Sequence, residues 1–329
     1  MKKIHFLCIG GKRAGMGHIV RSLKMARAVK AKYNKVEIGF IVCVDKESKD
    51  PISIKLKPLF ETVFIEDTHI KIEELLVSVN TDLLIVDRLS YDTTAFRAMV
   101  PKIIALDNYH KGADSYINIL KDTGFHHEGI EYNGYEYWII DEPPQKKRMV
   151  LPGLKQILVT CGYTDPNRIT EKILKALTNH FRNCSLEMVT PHITCIVTSL
   201  YQQKITEDLL EINPSIVIKK DLVDIGEELL KSDLCFNLGG NTMVETIGIG
   251  IPSVVVADCP KNHELALILK NEGYIMGVLT SDSLNALSDL LNRLTPKELF
   301  DANARCLRFN GYGMNRIINI IDRELRYGR

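Results

Sequence analysis

KIHFLCIGGKRAGMGHIVR, residues 3–21, runs from an apolar segment through a glycine-rich turn into a helical pattern. Ile4 to Ile9 is apolar on both faces, which marks a strand of a parallel sheet covered by helices on each side. The segment is too short for a membrane span or the core of a signal peptide, and no small-residue cleavage site follows it. Gly15 and Gly17 let a backbone approach a ligand closely. A helix opening at Gly17 points its first N–H groups outward, a corner that suits an anion.

The same alternation extends outward from this stretch. VEIGFIVCV (36–44), ETVFIE (61–66), DLLIVD (82–87) and KIIALD (102–107) read as strands, with helical spacing over 17–32, 69–79 and 92–100. After residue 150 come KQILVT (155–160), SLEMVT (185–190), ITCIVT (193–198), SIVIKK (215–220), DLCFNL (233–238), PSVVVA (252–257) and YIMGVL (274–279). Helical patterns at 169–179, 201–211, 224–231, 242–248 and 263–271 separate them, and two helices follow Pro296, the last over 314–326. Strands alternating with helices predict an α/β chain of βα repeats. DEPPQKKR (141–148) is charged and proline-interrupted and continues neither element, so it reads as a linker between domains 1–145 and 146–329. Two Rossmann-like parallel-sheet domains then face each other across a cleft at the strands' carboxyl ends, where ligands of such sheets bind.

Composition bounds the function. The 329 residues suit two domains at about 150 each. Lys plus Arg at 42 against Asp plus Glu at 41 leaves no field to draw nucleic acid or an anionic membrane, and a single Trp offers little base-stacking surface. The eight cysteines show no CxxC and sit mostly in apolar runs, which predicts reduced thiols and a cytoplasmic protein. His126-His127-Glu128 is set aside as a metal site, because adjacent histidines diverge and no third ligand is spaced to help. Neither a metal nor a cofactor is expected, and the chain is expected to be a monomer.

The motifs fall just after strands. His18, in the first helical turn after strand one, lies at a cleft mouth rather than in the core, and a helix N-terminus suits a neutral imidazole that accepts a proton. The bland alternative is an ordinary βα turn. In the second half, DLCFNL ends in Gly239-Gly240-Asn241-Thr242-Met243-Val244-Glu245. N–H groups at Gly240 to Thr242 can meet phosphate oxygens and Glu245 can bind ribose hydroxyls, or Asn241 merely caps the helix and Glu245 completes a capping-box-like pair. Two further polar loops, 160–167 with Gly162 and 258–264, follow other strands of that half.

GMGHIVR, LLIVD, IIALDN, GYEYWIIDEP, ILVTCGYTDP, the Gly239 to Glu245 block, PKNHELA and NGYGMNR together resemble the nucleotide-sugar hydrolases of pseudaminic acid biosynthesis. Those enzymes cleave UDP-2,4-diacetamido-2,4,6-trideoxy-β-L-altropyranose, and their relatives include spore-coat polysaccharide proteins and MurG-type glycosyltransferases. The resemblance implies a GT-B fold in which the C-terminal domain binds UDP and the N-terminal domain carries the base and the sugar side, with C-terminal helices packing back on it. It implies that His18 is the base, that Glu245 holds the ribose, that Asn262 binds substrate, and that Leu222 and Val223 meet the uracil through backbone atoms. Gly15, Gly17 and Arg21 are expected at the substrate, and Gly162, Gly239, Gly240, Asn241 and Thr242 at the nucleotide. Three positions depart from the family pattern: Leu89 where a tyrosine is usual, His263 in place of glutamine, and Cys161-Gly162 in place of Gly-Gly. Leu89 and His263 should face the sugar, which leaves it open between the altropyranose and another UDP-linked amino or deoxy sugar. The expected activity is hydrolysis by His18-activated water; the alternative is an inverting glycosyltransferase using a UDP-sugar.

Overall fold

The computed structural model describes all residues except 12–13, 66–68, 89–90, 109, 120–127, 140–152, 163–164, 166, 184–189, 199–209, 212, 214, 223–224, 310–312 and 328–329. The expected linker at 141–148, the strand at 185–190 apart from Thr190, most of the helix at 201–211, Leu89 and Val223 lie outside the described residues. The chain divides into two compact units, residues 1–141 with 310–329, and residues 142–309.

The first unit is built on a parallel sheet of seven strands: β1 (Lys2–Gly10), β2 (Val36–Val44), β3 (Glu61–Ile65), β4 (Leu83–Asp87), β5 (Ile103–Leu106), β6 (Ser115–Asn118) and β7 (Ile130–Asn133). Their spatial order is β3-β2-β1-β4-β5-β6-β7. Helices α1 (Gly17–Lys32), α2 (Lys49–Leu56) and α3 (His69–Val79) connect the early strands, and Thr94–Ala98 forms a 3-10 turn where a longer helix was expected. Leu7, Ile41, Leu76, Val86, Phe96 and Tyr116 pack one core of this unit.

The second unit repeats the plan with six parallel strands, β8 (Gln156–Thr160), β9 (His192–Val197), β10 (Ile216–Lys220), β11 (Leu234–Asn237), β12 (Ser253–Ala257) and β13 (Gly277–Thr280). Their order is β10-β9-β8-β11-β12-β13. Its helices are α4 (Ile169–Arg182), α5 (Gly226–Lys231), α6 (Gly240–Ile249), α7 (Pro260–Asn271), α8 (Leu287–Arg293) and α9 (Pro296–Cys306). Val159, Ile173, Leu177, Phe236 and Leu287 centre its core. The final helix, α10 (Gly313–Tyr327), belongs to the first unit, where Tyr33 Oη donates to Asp322 Oδ1 at 2.8 Å and Arg316 Nη1 donates to the Glu136 carbonyl at 2.7 Å.

Each strand order reverses once, between β1 and β4 in one sheet and between β8 and β11 in the other. At such a reversal the connections leave in opposite directions and open a crevice outside the strands' carboxyl ends. The candidate residues gather at these two points.

Candidate functional site

In the first unit the crevice lies beyond Gly10 of β1 and Asp87 of β4. The turn after β1 is pinned by paired backbone bonds, Gly11 N–H to the Gly15 carbonyl at 3.0 Å and Gly15 N–H to the Gly11 carbonyl at 2.7 Å. Gly11 has φ +118°, and a Cβ there would stand 2.1 Å from Asp45 Oδ2, so only glycine lets the turn press against the end of β2. That turn aims the first residues of α1 across the end of β4. His18, Arg21 and Ser22, at spacings of three and four, share one helix face.

All three meet Asp87. His18 Nδ1 lies 2.7 Å from Asp87 Oδ1, Arg21 Nε donates to Oδ2 at 3.0 Å while its Nη2 donates to Oδ1, and Ser22 Oγ donates to Oδ2 at 3.1 Å. Asp87 is fully buried, whereas the His18 side chain keeps 17 % of its surface exposed. Burial alone pushes the Asp87 carboxyl up, but Arg21 and His18 outweigh it and bring it down to about 2. An ionised carboxylate only accepts hydrogen bonds, so the Nδ1 facing it carries the hydrogen, which leaves the lone pair of a neutral imidazole on Nε2. The arrangement is a histidine oriented by a carboxylate, with a ring nitrogen able to take a proton.

Sequence reasoning found His18 and passed over Asp87, although the signal was present. LLIVD and IIALD are apolar strands that both end in aspartate, and β4 lies beside β1. A charge that ends an otherwise buried strand at a sheet's carboxyl edge needs a partner, and His18 with Arg21 supplies it. Arg21, expected at the substrate, lies buried beneath His18 with its guanidinium committed to carboxylates. Gly15 has φ +67° with open space at its Cβ position, and Gly17 is exposed. Tyr91, the tyrosine nearest the missing one at Leu89, is buried under the Arg88 guanidinium at 4.0 Å.

In the second unit two helices, α4 and α6, start just after β8 and β11, the strands that flank the reversal. Asp165 takes the first amides of α4, accepting from Ile169 N–H at 2.8 Å and Thr170 N–H at 2.7 Å. A carboxylate already sits where a phosphate would bind. The turn before it keeps Gly162 at φ +78°. Helix α6 starts at Gly240 after Gly239, which has φ +95° and donates its N–H to Asn237 Oδ1 at 2.8 Å. Asn241 therefore stands inside the first turn of α6, and the reading of it as the cap is corrected: Gly239 occupies that position.

Asn262 packs against this turn, its Cβ and Cγ 3.0 and 3.2 Å from where a Gly239 Cβ would stand. Its Nδ2 donates to Asp258 Oδ1 at 3.0 Å. Gly239, Gly240, Thr242, Glu245 and Asn262 are brought together at the half-buried amino end of α6. His263 lines a cavity of about 560 Å³ together with Lys172, Asp258, Thr280 and Asp282. Leu222 is half-buried and packs against a cluster that includes Leu158, Ile196 and Leu229.

Among the described residues no three potential metal ligands gather, and no helix is long and apolar enough to cross a membrane. The seven described cysteines are free thiols, six of them buried.

Comparison with solved structures places this architecture. MurG of Acinetobacter baumannii superposes with a TM-score of 0.65 over 98 % of this chain and 100 % of its own, at 12 % identity. The fold is GT-B. A putative UDP-N-acetylglucosamine 2-epimerase from Listeria monocytogenes matches with a TM-score of 0.60 over 98 % of this chain and 96 % of its own, at 15 % identity. An uncharacterized protein of Methanocaldococcus jannaschii is 26 % identical over an alignment of 278 positions that covers 77 % of this chain and 55 % of that protein. The chain thus spans about half the length of that curated relative. No family model matches. These likenesses reach the GT-B architecture and stop short of the pseudaminic acid hydrolases that the motifs resemble.

Proposed function

We propose that this chain is a UDP-sugar-utilising enzyme in which His18 deprotonates an acceptor hydroxyl for inverting glycosyl transfer. The observation that carries the reading is the His18–Asp87 pair at 2.7 Å beside the reversal point of the first sheet. Nε2 takes the hydroxyl proton, the acceptor oxygen bonds to the anomeric carbon, and the bond from that carbon to the diphosphate breaks with its electron pair leaving on UDP. In the second unit the glycine start of α6 suits the diphosphate, since its amides and helix dipole favour negative charge. Glu245, one turn further along, suits the ribose hydroxyls. The MurG and epimerase likenesses support a UDP-sugar substrate and this use of the fold.

Hydrolysis is the second reading, favoured by the intact GMGHIVR motif and the order of motifs along the chain. The same base then activates water. Incubation with a panel of UDP-sugars, with and without candidate acceptors, separates the two by products. UDP released only with an acceptor supports transfer, and UDP with free sugar in its absence supports hydrolysis. Sugar nucleotides recovered intact or merely epimerised count against both.

A further inference from the structure

The His18–Asp87 pair rests on a second buried pair. Arg21 grips Asp87 through Nε and Nη2 and turns its remaining terminal nitrogen, Nη1, to Asp107 Oδ2 at 2.7 Å. Asp107 follows β5, is almost fully buried, and adopts φ +48°. Its other oxygen, Oδ1, accepts the Ile119 N–H at 3.0 Å just after β6, so the carboxylate cannot swing away. The chain of contacts runs from the ends of β5 and β6 through Arg21 to Asp87 and then to His18. Another ionisable neighbour of Asp87, the buried Cys8 thiol, does not compete, because burial pushes it well up and keeps it neutral.

This geometry does not suit a guanidinium reserved for substrate. The Arg21 side chain is 9 % exposed and its nitrogens already donate to two carboxylates. Drawing it into solvent would strand both charges in the interior, which is costly. Asp87 alone would be a poor anchor, since its carboxylate could turn so that neither oxygen lies in line with His18 Nδ1. The planar fork removes that freedom, because two parallel N–H bonds set the carboxylate plane.

We propose that Arg21 and Asp107 are positioning residues that fix the plane of Asp87 and so hold His18 in the tautomer with the hydrogen on Nδ1. The proposal rests on the reading of His18 as the base, although its structural core can be checked without turnover. Lysine cannot replace Arg21, as an ammonium is a single point donor that cannot serve both oxygens of Asp87 and still reach Asp107.

The test uses the full chain and the variants Arg21→Lys and Asp107→Asn, with His18→Asn to assign the imidazole signals. Long-range ¹H–¹⁵N correlation NMR reports the tautomer of His18, and an amide fingerprint confirms that each variant is folded. In the native chain Nδ1 carries the hydrogen, and in both variants the two tautomers mix. The UDP-release kcat falls on the order of 10²-fold, as for a misplaced catalytic group, with KM and UDP affinity within about twofold. If Arg21→Lys does not fold, Asp107→Asn decides by the same criteria. A folded variant whose His18 tautomer stays that of the native chain overturns the proposal. Mixed tautomers in the variants together with an active His18→Asn enzyme would instead keep the clamp and remove His18 as the base.

Discussion

Asp87 combines complete burial with four donors, and its worth depends on pH. Its carboxyl is held near 2 in the folded chain and lies in the ordinary carboxylate range when unfolded, so folding favours the ionised form. Stability from this group is full above the ordinary range and is lost as pH falls toward 2, a contribution of roughly 2 kcal/mol. Urea unfolding of the native chain and of Asp87→Asn from pH 6 downward should show the gap between them narrowing as the medium becomes acidic. A gap that widens toward low pH would contradict the assignment of Asp87 as the ionised partner. Glu245 carries a different prediction. A carboxylate bridging ribose hydroxyls contributes about 1.5–3 kcal/mol, so Glu245→Ala should weaken UDP binding by that amount in calorimetry. Unchanged affinity would leave Glu245 a surface residue of α6 with no part in nucleotide binding.

Among the elements, the residues at their starts separate two similar helices in the second unit. The first α4 amides are satisfied from within by Asp165, whereas α6 opens on Gly239 and Gly240, whose missing side chains would let the proposed diphosphate approach closely. Helix α9 shows what a capped start contributes. Thr295 Oγ1 accepts the Glu298 N–H at 3.2 Å while Glu298 Oε2 accepts the Thr295 N–H at 2.8 Å, a reciprocal box. Thr295→Ala should cost about 1 kcal/mol in chemical unfolding and leave UDP binding unchanged.

The strands with continuous apolar runs were legible in the sequence, as was α1, because glycine opens it and its buried face recurs at helical spacing. Strands β6 and β7 were not, since SYIN and IEYN are short and end in asparagines that pair with each other at 3.0 Å instead of forming an apolar stripe. Helix α2 hid for another reason. Ile52, Ile54 and Leu56 alternate like a strand, yet Ile52 and Leu56 are buried on one helix face and Ile54 is 75 % exposed. His18 was legible through its glycine-rich turn. Asp87 and Asp107 are far from it in sequence, and only the pairing of β1 with β4 and of β4 with β5 brings their strands together.

The whole chain joins two parallel-sheet units whose strand orders each reverse once, and the functional reading depends on what stands at those reversals. His18 with its orienting carboxylate, the proposed proton acceptor, stands at one, and the glycine start of α6 with Glu245 one turn on, the proposed diphosphate site, stands at the other. Neither group alone would specify a sugar-nucleotide enzyme, because fold does not fix chemistry. The measurement that bears most directly on this account is the rate of UDP release from a UDP-sugar substrate by the native chain and by His18→Asn at matched saturation. A loss of about 10²- to 10⁴-fold is expected, as for removal of a general base, with UDP affinity nearly unchanged. A variant that keeps more than about a tenth of the native rate, well outside that range, would contradict it.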